Sequence, residues 1–245
     1  MRAIGSGVVQ FELRGGLDIV QLADEWEVGF LEGAGRSHRL RVAHLVDASG
    51  RVSIVGRKAG ASRYTTDELF SVTASLRAPG RVGVWTESAE TGWWNLCSMR
   101  DRGSLSFFGT RREAKYVRRF FRECFALTVH LRALLLPDIE DLTIRPCSSS
   151  LLCPTAGKRW VAVGDAAVAV HPLTSSGVAR ALRDAAMAKE ALQDAAAAYE
   201  IFQQADFRSY RTFLTRHYAI ERRWPRSSFW KNAVDSSRMA TAASR

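Results

Sequence analysis

No stretch of the 245-residue chain approaches the roughly 20 consecutive apolar residues that a membrane-crossing helix needs. The opening residues MRAIGSGVVQFELRGG also lack the run of about 7 to 15 apolar residues found in signal peptides. A cytoplasmic protein with no membrane partner is therefore expected. Cysteine is scarce and scattered: Cys97, Cys124, Cys147 and Cys153 form no C-x-x-C pair, so neither a zinc site nor a redox motif is written here. Reduced structural thiols and no metal are expected. G-x-S-x-G, H-E-x-x-H and the phosphate-binding P-loop are absent as well, which removes support for hydrolase, metallopeptidase and NTPase chemistry.

The composition is 47% hydrophobic and 24% charged, enough apolar material for one large core or two smaller ones. A net charge of +10 could serve a polyanionic partner. Much of that charge lies in RREAKYVRRFFRE (Arg111 to Glu123) and RHYAIERRWPRSSFWK (Arg216 to Lys231), where it alternates with apolar residues at helical spacing. That pattern reads as solvated helix faces, so no nucleic acid is expected as a partner.

Apolar and polar residues alternate through the first half of the chain. GGLDIVQLADEWEVGFLEG predicts short strands, HRLRVAHLVDASGR a buried strand ending in a turn, and Arg51 to Tyr64 a loop with a short helix. LFSVTASLRA, RVGVWTES, GWWNLCSM and GSLSFFGT predict antiparallel strands between Asp67 and Gly109. Glu113 to Leu136 predicts one helix ended by Pro137, and 138–160 an irregular connector. Two helices follow, one with Val178, Leu182, Ala185 and Leu192 along one side, the other with Tyr199, Phe202, Tyr210, Phe213 and His217. Pro225 is expected to close the second, ahead of a frayed tail.

Between the connector and these helices, VAVGDAAVAVHPLTSSGVARAL holds the densest chemistry. A buried strand delivers Gly164 and Asp165 to its carboxyl end, where ligands of α/β sheets bind. A carboxylate there accepts hydrogen bonds from sugar-like hydroxyls, and glycine lets a ligand approach the backbone. The turn after Pro172 leads into a helix whose first amides, from Ser175, Ser176, Gly177 and Val178, form a site for negative charge. The plainer alternative is that Asp165 caps a turn and Gly177 starts a helix.

GDAAVAVHPLTSSGVARALRDA resembles the second flavin-binding motif of FAD-dependent monooxygenases of the para-hydroxybenzoate hydroxylase type and of the related tryptophan halogenases. It is more similar still to halogenase-like oxidoreductases associated with maturation of peptide-derived quinone cofactors. LVDASGR, GWWNL, RWVAVGDAA and HYAIERRWPRSSFW resemble further segments of that family in the same order, from about Leu17 to Trp230. The resemblance implies an α/β (α+β) fold: an FAD-binding domain of the para-hydroxybenzoate hydroxylase type, an inserted antiparallel β-sheet substrate domain and C-terminal helices. It implies FAD, reduced by NAD(P)H or a partner reductase, and a small-molecule or peptide side-chain substrate. Asp165 would hold the ribityl and pyrophosphate part, and Pro172 to Val178 would lie against the isoalloxazine.

Departures accompany the resemblance. His171 stands where the nearest relatives carry aspartate, and Ser176 where they carry glutamine; His171 is either a proton donor near the flavin or an ordinary polar residue of the turn. The family's G-x-G-x-x-G, which binds the ADP half of FAD, has no counterpart, since GSGVVQ (Gly5 to Gln10) and GAGRSH (Gly33 to His38) each lack the third glycine. An incomplete, N-terminally truncated FAD-binding domain is expected, with a fragment completed by another chain as the alternative. The division expected is 1–66 partial FAD-binding domain, 67–150 substrate sheet with helix, 151–235 remainder of the FAD-binding domain, and 236–245 tail. Asp47 and Arg51 are placed beside the pyrophosphate or in a simple turn with a surface ion pair. Trp93 or Trp94 lines a substrate cavity or packs in the core.

Overall fold

A computed structural model of the chain describes residues 2–4, 8–33, 35–77, 81–110, 117–134 and 141–234. Outside them fall Gly5 to Gly7, both ends of the helix expected at Glu113 to Leu136, Pro137 and the tail. In chain order the strands and helices begin with β1 (Arg2–Ile4), β2 (Val8–Gln10), β3 (Asp18–Gln21), β4 (Trp26–Leu31), β5 (Ser37–Val42), β6 (Leu45–Asp47), α1 (Ile54–Lys58) and β7 (Ser62–Thr65). The middle of the chain gives β8 (Phe70–Arg77), β9 (Gly83–Ala89), β10 (Gly92–Ser98), β11 (Arg102–Gly109), α2 (Val117–Ala126), α3 (His130–Leu134) and β12 (Leu142–Pro146). The last part holds β13 (Ser150–Cys153), β14 (Ala156–Gly157), β15 (Trp160–Ala162), β16 (Val168–Ala169), α4 (Gly177–Gln193) and α5 (Ala196–Tyr218). The fold is mixed α/β with several antiparallel sheets.

Two compact units share the chain. The first holds Met1–Tyr64, Ser150–Ala169 and Ser175–Asp206; the second holds Thr65–Ser149, Val170–Thr174 and Phe207–Arg245. The 151–235 stretch, expected in one piece, is thus divided between both, because Val170–Thr174 and the chain from Phe207 make most of their contacts with the second unit.

The second unit is built on a five-stranded antiparallel sheet in the order β12-β8-β11-β10-β9. Its period-2 alternation turns Val72, Ala74, Trp94, Leu96, Leu105 and Phe107 into one core with Phe121 and Phe125 of α2 and Leu131 of α3. Phe121 and Phe125, four apart, form the buried stripe of α2, while Arg122 and Glu123 face water. The single expected helix is two, because Thr128 breaks it: its hydroxyl bonds to Phe125 O at 2.8 Å and receives the Arg132 amide at 3.1 Å. Glu87 of β9 accepts the Val129, His130 and Leu131 amides at 2.6 to 3.1 Å, an anion at the amino end of α3. Trp93 and Trp94 point to opposite faces and both are buried; Trp93 stacks on Phe108 at 4.0 Å.

In the first unit β15 pairs parallel with β6, matching Trp160 to Leu45 and Ala162 to Asp47, and antiparallel with β14. The strand expected to be buried at His38 to Asp47 is two, β5 and β6, and β5 is largely exposed in a three-stranded sheet with β3 and β4. The connector expected to be irregular contains β12, β13 and β14. The faces of the helices also differ from expectation. Helix α4 buries Asp184, Ala188 and Ala191, leaving Val178 76% and Leu182 69% exposed. Helix α5 buries Tyr199, Gln203, Phe207, Tyr210, Arg211, Leu214 and Tyr218, with Phe213 and His217 exposed, and it ends at Tyr218, well before Pro225.

Candidate functional site

Strand β15 is buried on all three residues and runs into a 3-10 turn at Gly164–Ala166. Gly164 has φ +58, and a Cβ there would come within 3.0 Å of the Ala181 Cβ. Only glycine satisfies both the left-handed backbone and the approach of α4. The Gly164 amide donates to Asp184 Oδ2 at 3.0 Å. Asp184 is 1% exposed; its other oxygen receives Arg183 Nη2 at 2.9 Å, and Arg183 also reaches Asp206 at 2.8 Å. A buried carboxylate is tolerable because it is both paired and hydrogen-bonded.

Asp165, next along, keeps its carboxylate 39% exposed and pairs with Arg51 Nε at 3.3 Å. Beneath it, Arg63 holds the turn by its backbone. Its guanidinium donates to Asp165 O at 2.6 Å, to Ala166 O at 2.9 Å, to Ser150 Oγ at 3.0 Å and to Ser53 Oγ. Ser53, buried at φ +48, donates to Ala166 O at 2.8 Å. Burial and the neighbouring Arg51 bring the Arg63 guanidinium down to about 10, with the Asp165 and Asp47 carboxylates acting the other way. Asp47 belongs to this framework and not to a ligand-facing surface. It is fully buried, its Oδ1 taken by the Ser49 amide and hydroxyl at 3.0 and 2.6 Å and its Oδ2 by the Gly56 amide at 2.8 Å. Gly56 is needed there, because a Cβ would meet Leu152 Cδ2 at 2.5 Å.

Ser175, at φ +49, turns the chain into α4. Ser176 precedes the helix without a side-chain cap, and the first intrahelical donor is Arg180, whose amide reaches Ser176 O at 3.0 Å. The amides of Gly177, Val178 and Ala179 therefore precede the helical ladder. Space is open beside Gly177, where a Cβ would meet nothing within 4 Å. The first unit thus gathers Asp47, Arg51, Gly164, Asp165 and Ser175 to Val178, whereas Pro172, exposed in a 3-10 turn with Thr174, belongs to the second.

His171, beside that proline, is 4% exposed in the second unit. Its Nε2 lies 3.0 Å from Asp67 Oδ1 and its Nδ1 3.1 Å from the Tyr218 hydroxyl. The His171 amide donates to the Tyr210 hydroxyl at 2.9 Å, which shares a 2.7 Å hydrogen bond with Ser149 Oγ. Asp67 also receives the Ser149 amide at 3.1 Å and Arg211 Nη1 at 3.3 Å, and Arg211 reaches Thr66 Oγ1 at 2.7 Å. Burial by itself would raise the Asp67 pKa; hydrogen bonds from His171 and Ser149 outweigh it and hold the carboxyl below its ordinary value. Burial pushes the Tyr210 hydroxyl up to about 12 and Tyr218 further. Arg211, His171, Asp67 and Tyr218 line a cavity of about 430 Å³ with Leu69, Leu214 and Phe229.

Sequence reasoning missed Arg63, Ser53, Asp184, Asp67 and Arg211. An arginine just before a predicted strand and an aspartate inside an alanine-rich helix were the available signals for Arg63 and Asp184.

No protein-family model matches the chain. It is 26% identical over 231 residues to LodB of Marinomonas mediterranea, named as an FAD-dependent oxidoreductase; the match takes in 88% of this chain and 62% of LodB. The chain therefore spans less than two thirds of that relative's length. Among solved structures, it is similar to CmlS, a flavin-dependent halogenase, with a TM-score of 0.71 and 20% identity over 93% of this chain and 47% of CmlS. QhpG, a peptidyl tryptophan dihydroxylase essential for tryptophylquinone cofactor biogenesis, gives a TM-score of 0.70 and 20% identity over 94% of this chain and 55% of QhpG. The chain has the fold seen in the parts of those structures that it covers.

Proposed function

We propose that the chain works as an FAD-dependent oxidoreductase of the monooxygenase or halogenase-like kind, acting on an organic molecule or a peptide side chain. The observation that carries this reading is the first unit's turn at Gly164–Asp165, packed against Ala181 and Asp184 of α4, on a fold similar to that of flavin-dependent enzymes. LodB, over most of this chain, supports the same reading.

The residues fit the cofactor. Asp165 presents a partly exposed carboxylate that accepts hydrogen bonds from sugar hydroxyls, with Arg51 beside it as a cation for phosphate oxygens. The amides before Arg180 and the open space at Gly177 suit an electron-rich ring edge, where the helix end contributes roughly half a positive charge. FAD, when bound, supplies the redox chemistry. Arg63 holds the carbonyls of Asp165 and Ala166, and the Asp165 side chain stays partly exposed beside Arg51. Reduction by a nicotinamide or a partner reductase, and a cytoplasmic setting, belong to the same proposal.

Titration of the full chain with FAD tests it. A saturable quench of flavin fluorescence with a rise in melting temperature is expected, both weakened in Asp165→Ala; no FAD-dependent change in either would sink the reading.

A further inference from the structure

Strand β9 lies at one edge of the second unit's five-stranded sheet, paired with β10 on one side only. The opposite edge strand, β12, is protected against further pairing: it is five residues long, carries the exposed Arg145 and ends on Pro146, which has no amide hydrogen to offer. Strand β9 has none of these devices. It is seven residues long, contains no lysine, arginine or proline, and keeps an unbroken register with β10 from Gly83 to Ala89. Its one charged side chain, Glu87, is committed to the amides of α3.

The two-residue connection at Glu90 and Thr91 sets which backbone groups stay open. It makes Ala89 and Gly92 a hydrogen-bonded pair. Alternation then directs the amides and carbonyls of Glu87 and Trp85 toward β10, and those of Ser88, Thr86 and Val84 outward. No strand among the described residues pairs with β9 on that side. Exposed apolar side chains border the open edge on both faces: Val84 on one, and on the other Leu127 and Val129 of the α2–α3 turn, whose backbone Glu87 holds.

We propose that β9 is the contact strand of a symmetric dimer, in which a second copy of this chain adds its own β9 antiparallel to the first with Thr86, the middle residue, on the two-fold axis. In that register Thr86 faces the partner subunit's Thr86 and Val84 faces the partner subunit's Ser88, so the outward amides and carbonyls of each strand meet carbonyls and amides of the other. Like charges do not meet across the axis. Trp85 lies opposite the partner subunit's Glu87, and the Glu221 and Arg223 side chains that hold the Ser88 hydroxyl neutralise each other. Beyond the paired strands the exposed Arg81 comes within one position of the exposed Glu90 of the partner subunit, which brings opposite charges together at both ends. One strand pair covers less than the roughly 1,200 Å² of a stable interface, and Leu127 and Val129 add apolar contact beside it. A dissociation constant on the order of 10 μM is expected. This surface belongs to the second unit and uses nothing on which the flavin reading depends.

Sedimentation velocity of the full chain from about 1 to 200 μM, at about 0.15 M salt to screen the net positive charge, tests the dimer. The mass should rise with concentration from that of the 27.2 kDa chain toward twice that value. Thr86→Lys and Thr86→Glu each set like charges opposite one another on the axis and should each weaken association about tenfold. Thr86 is exposed, so both variants should keep the parent's melting temperature. An equimolar mixture of the two should recover the association, because lysine then faces glutamate. Val84→Lys, at a second exposed position of the edge, should weaken association as well and gives the same reading where a Thr86 variant fails to fold. A chain that stays monomeric, which would leave the edge to a foreign strand, association unchanged in the variants, or a mixture of folded variants that does not recover it would each overturn the dimer. A failed FAD titration leaves this result untouched.

Discussion

The backbone amide of Gly164 ends on the carboxylate of Asp184, 3.0 Å away and twenty residues later in the chain. That bond ties the turn after β15 to α4, and the other Asp184 oxygen pairs with Arg183 at 2.9 Å. Asp184→Ala would leave a buried amide without an acceptor and lower unfolding free energy by about 2 to 4 kcal/mol. Urea denaturation of the purified chain measures it; a loss within experimental error would show the bond to be incidental.

Gly164→Ala probes the same turn from the backbone side. A left-handed φ and a Cβ 3.0 Å from Ala181 both oppose the substitution, so a loss of about 1 to 3 kcal/mol is expected. FAD affinity should fall with it if the turn is the cofactor's seat, which fluorescence titration of the variant reads directly.

Arg63→Lys keeps the charge and removes the fork that reaches Ser150, Ala166 and Asp165 together. Lysine cannot satisfy that geometry. A stability loss of about 1 to 3 kcal/mol should follow, mainly from the Asp165 carbonyl, which loses its Arg63 donor while Ala166 O keeps Ser53. Amide hydrogen exchange at 164–167 should quicken more than exchange in the five-stranded sheet.

Asp67 links stability to pH with a definite sign. Its folded pKa lies below the ordinary carboxylate value, so the folded chain binds that proton less readily than the unfolded one. The stabilisation is present above the unfolded pKa and is lost as pH falls through the folded pKa. Melting temperatures recorded from neutral pH down through the carboxylate range should drop more gently in Asp67→Asn than in the parent chain; parallel curves would remove Asp67 from the acid sensitivity.

The strands of the second unit were legible because β8 to β11 alternate over seven or eight residues each and bury one face against phenylalanines at helical spacing. The Gly-Asp turn was legible from its residue types. The strands in the connector were not, since β14 is two residues long and β13 four, too short for a period to show, and pairing with distant residues gives them their conformation. Helix α4 misled for a different reason. Val178 and Leu182 mark an apolar stripe, yet the small Ala188 and Ala191 let the opposite side approach the sheet closely, and Asp184 enters there because the Gly164 amide needs an acceptor. The second helix showed its aromatic residues but not the buried cluster it serves: Asp67, Arg211 and His171 are far apart in sequence, and no local pattern joins them.

Trp93 and Trp94 share a peptide bond and occupy two separate optical environments. One indole is stacked on Phe108, with its N–H near the Tyr218 oxygen; the other is sealed among Phe107, Phe121 and Phe125. Intrinsic emission from this dipeptide is therefore a composite of two reporters, and substituting each in turn by phenylalanine would let one strand of the protein signal the surroundings of Tyr218 and the integrity of the sheet independently.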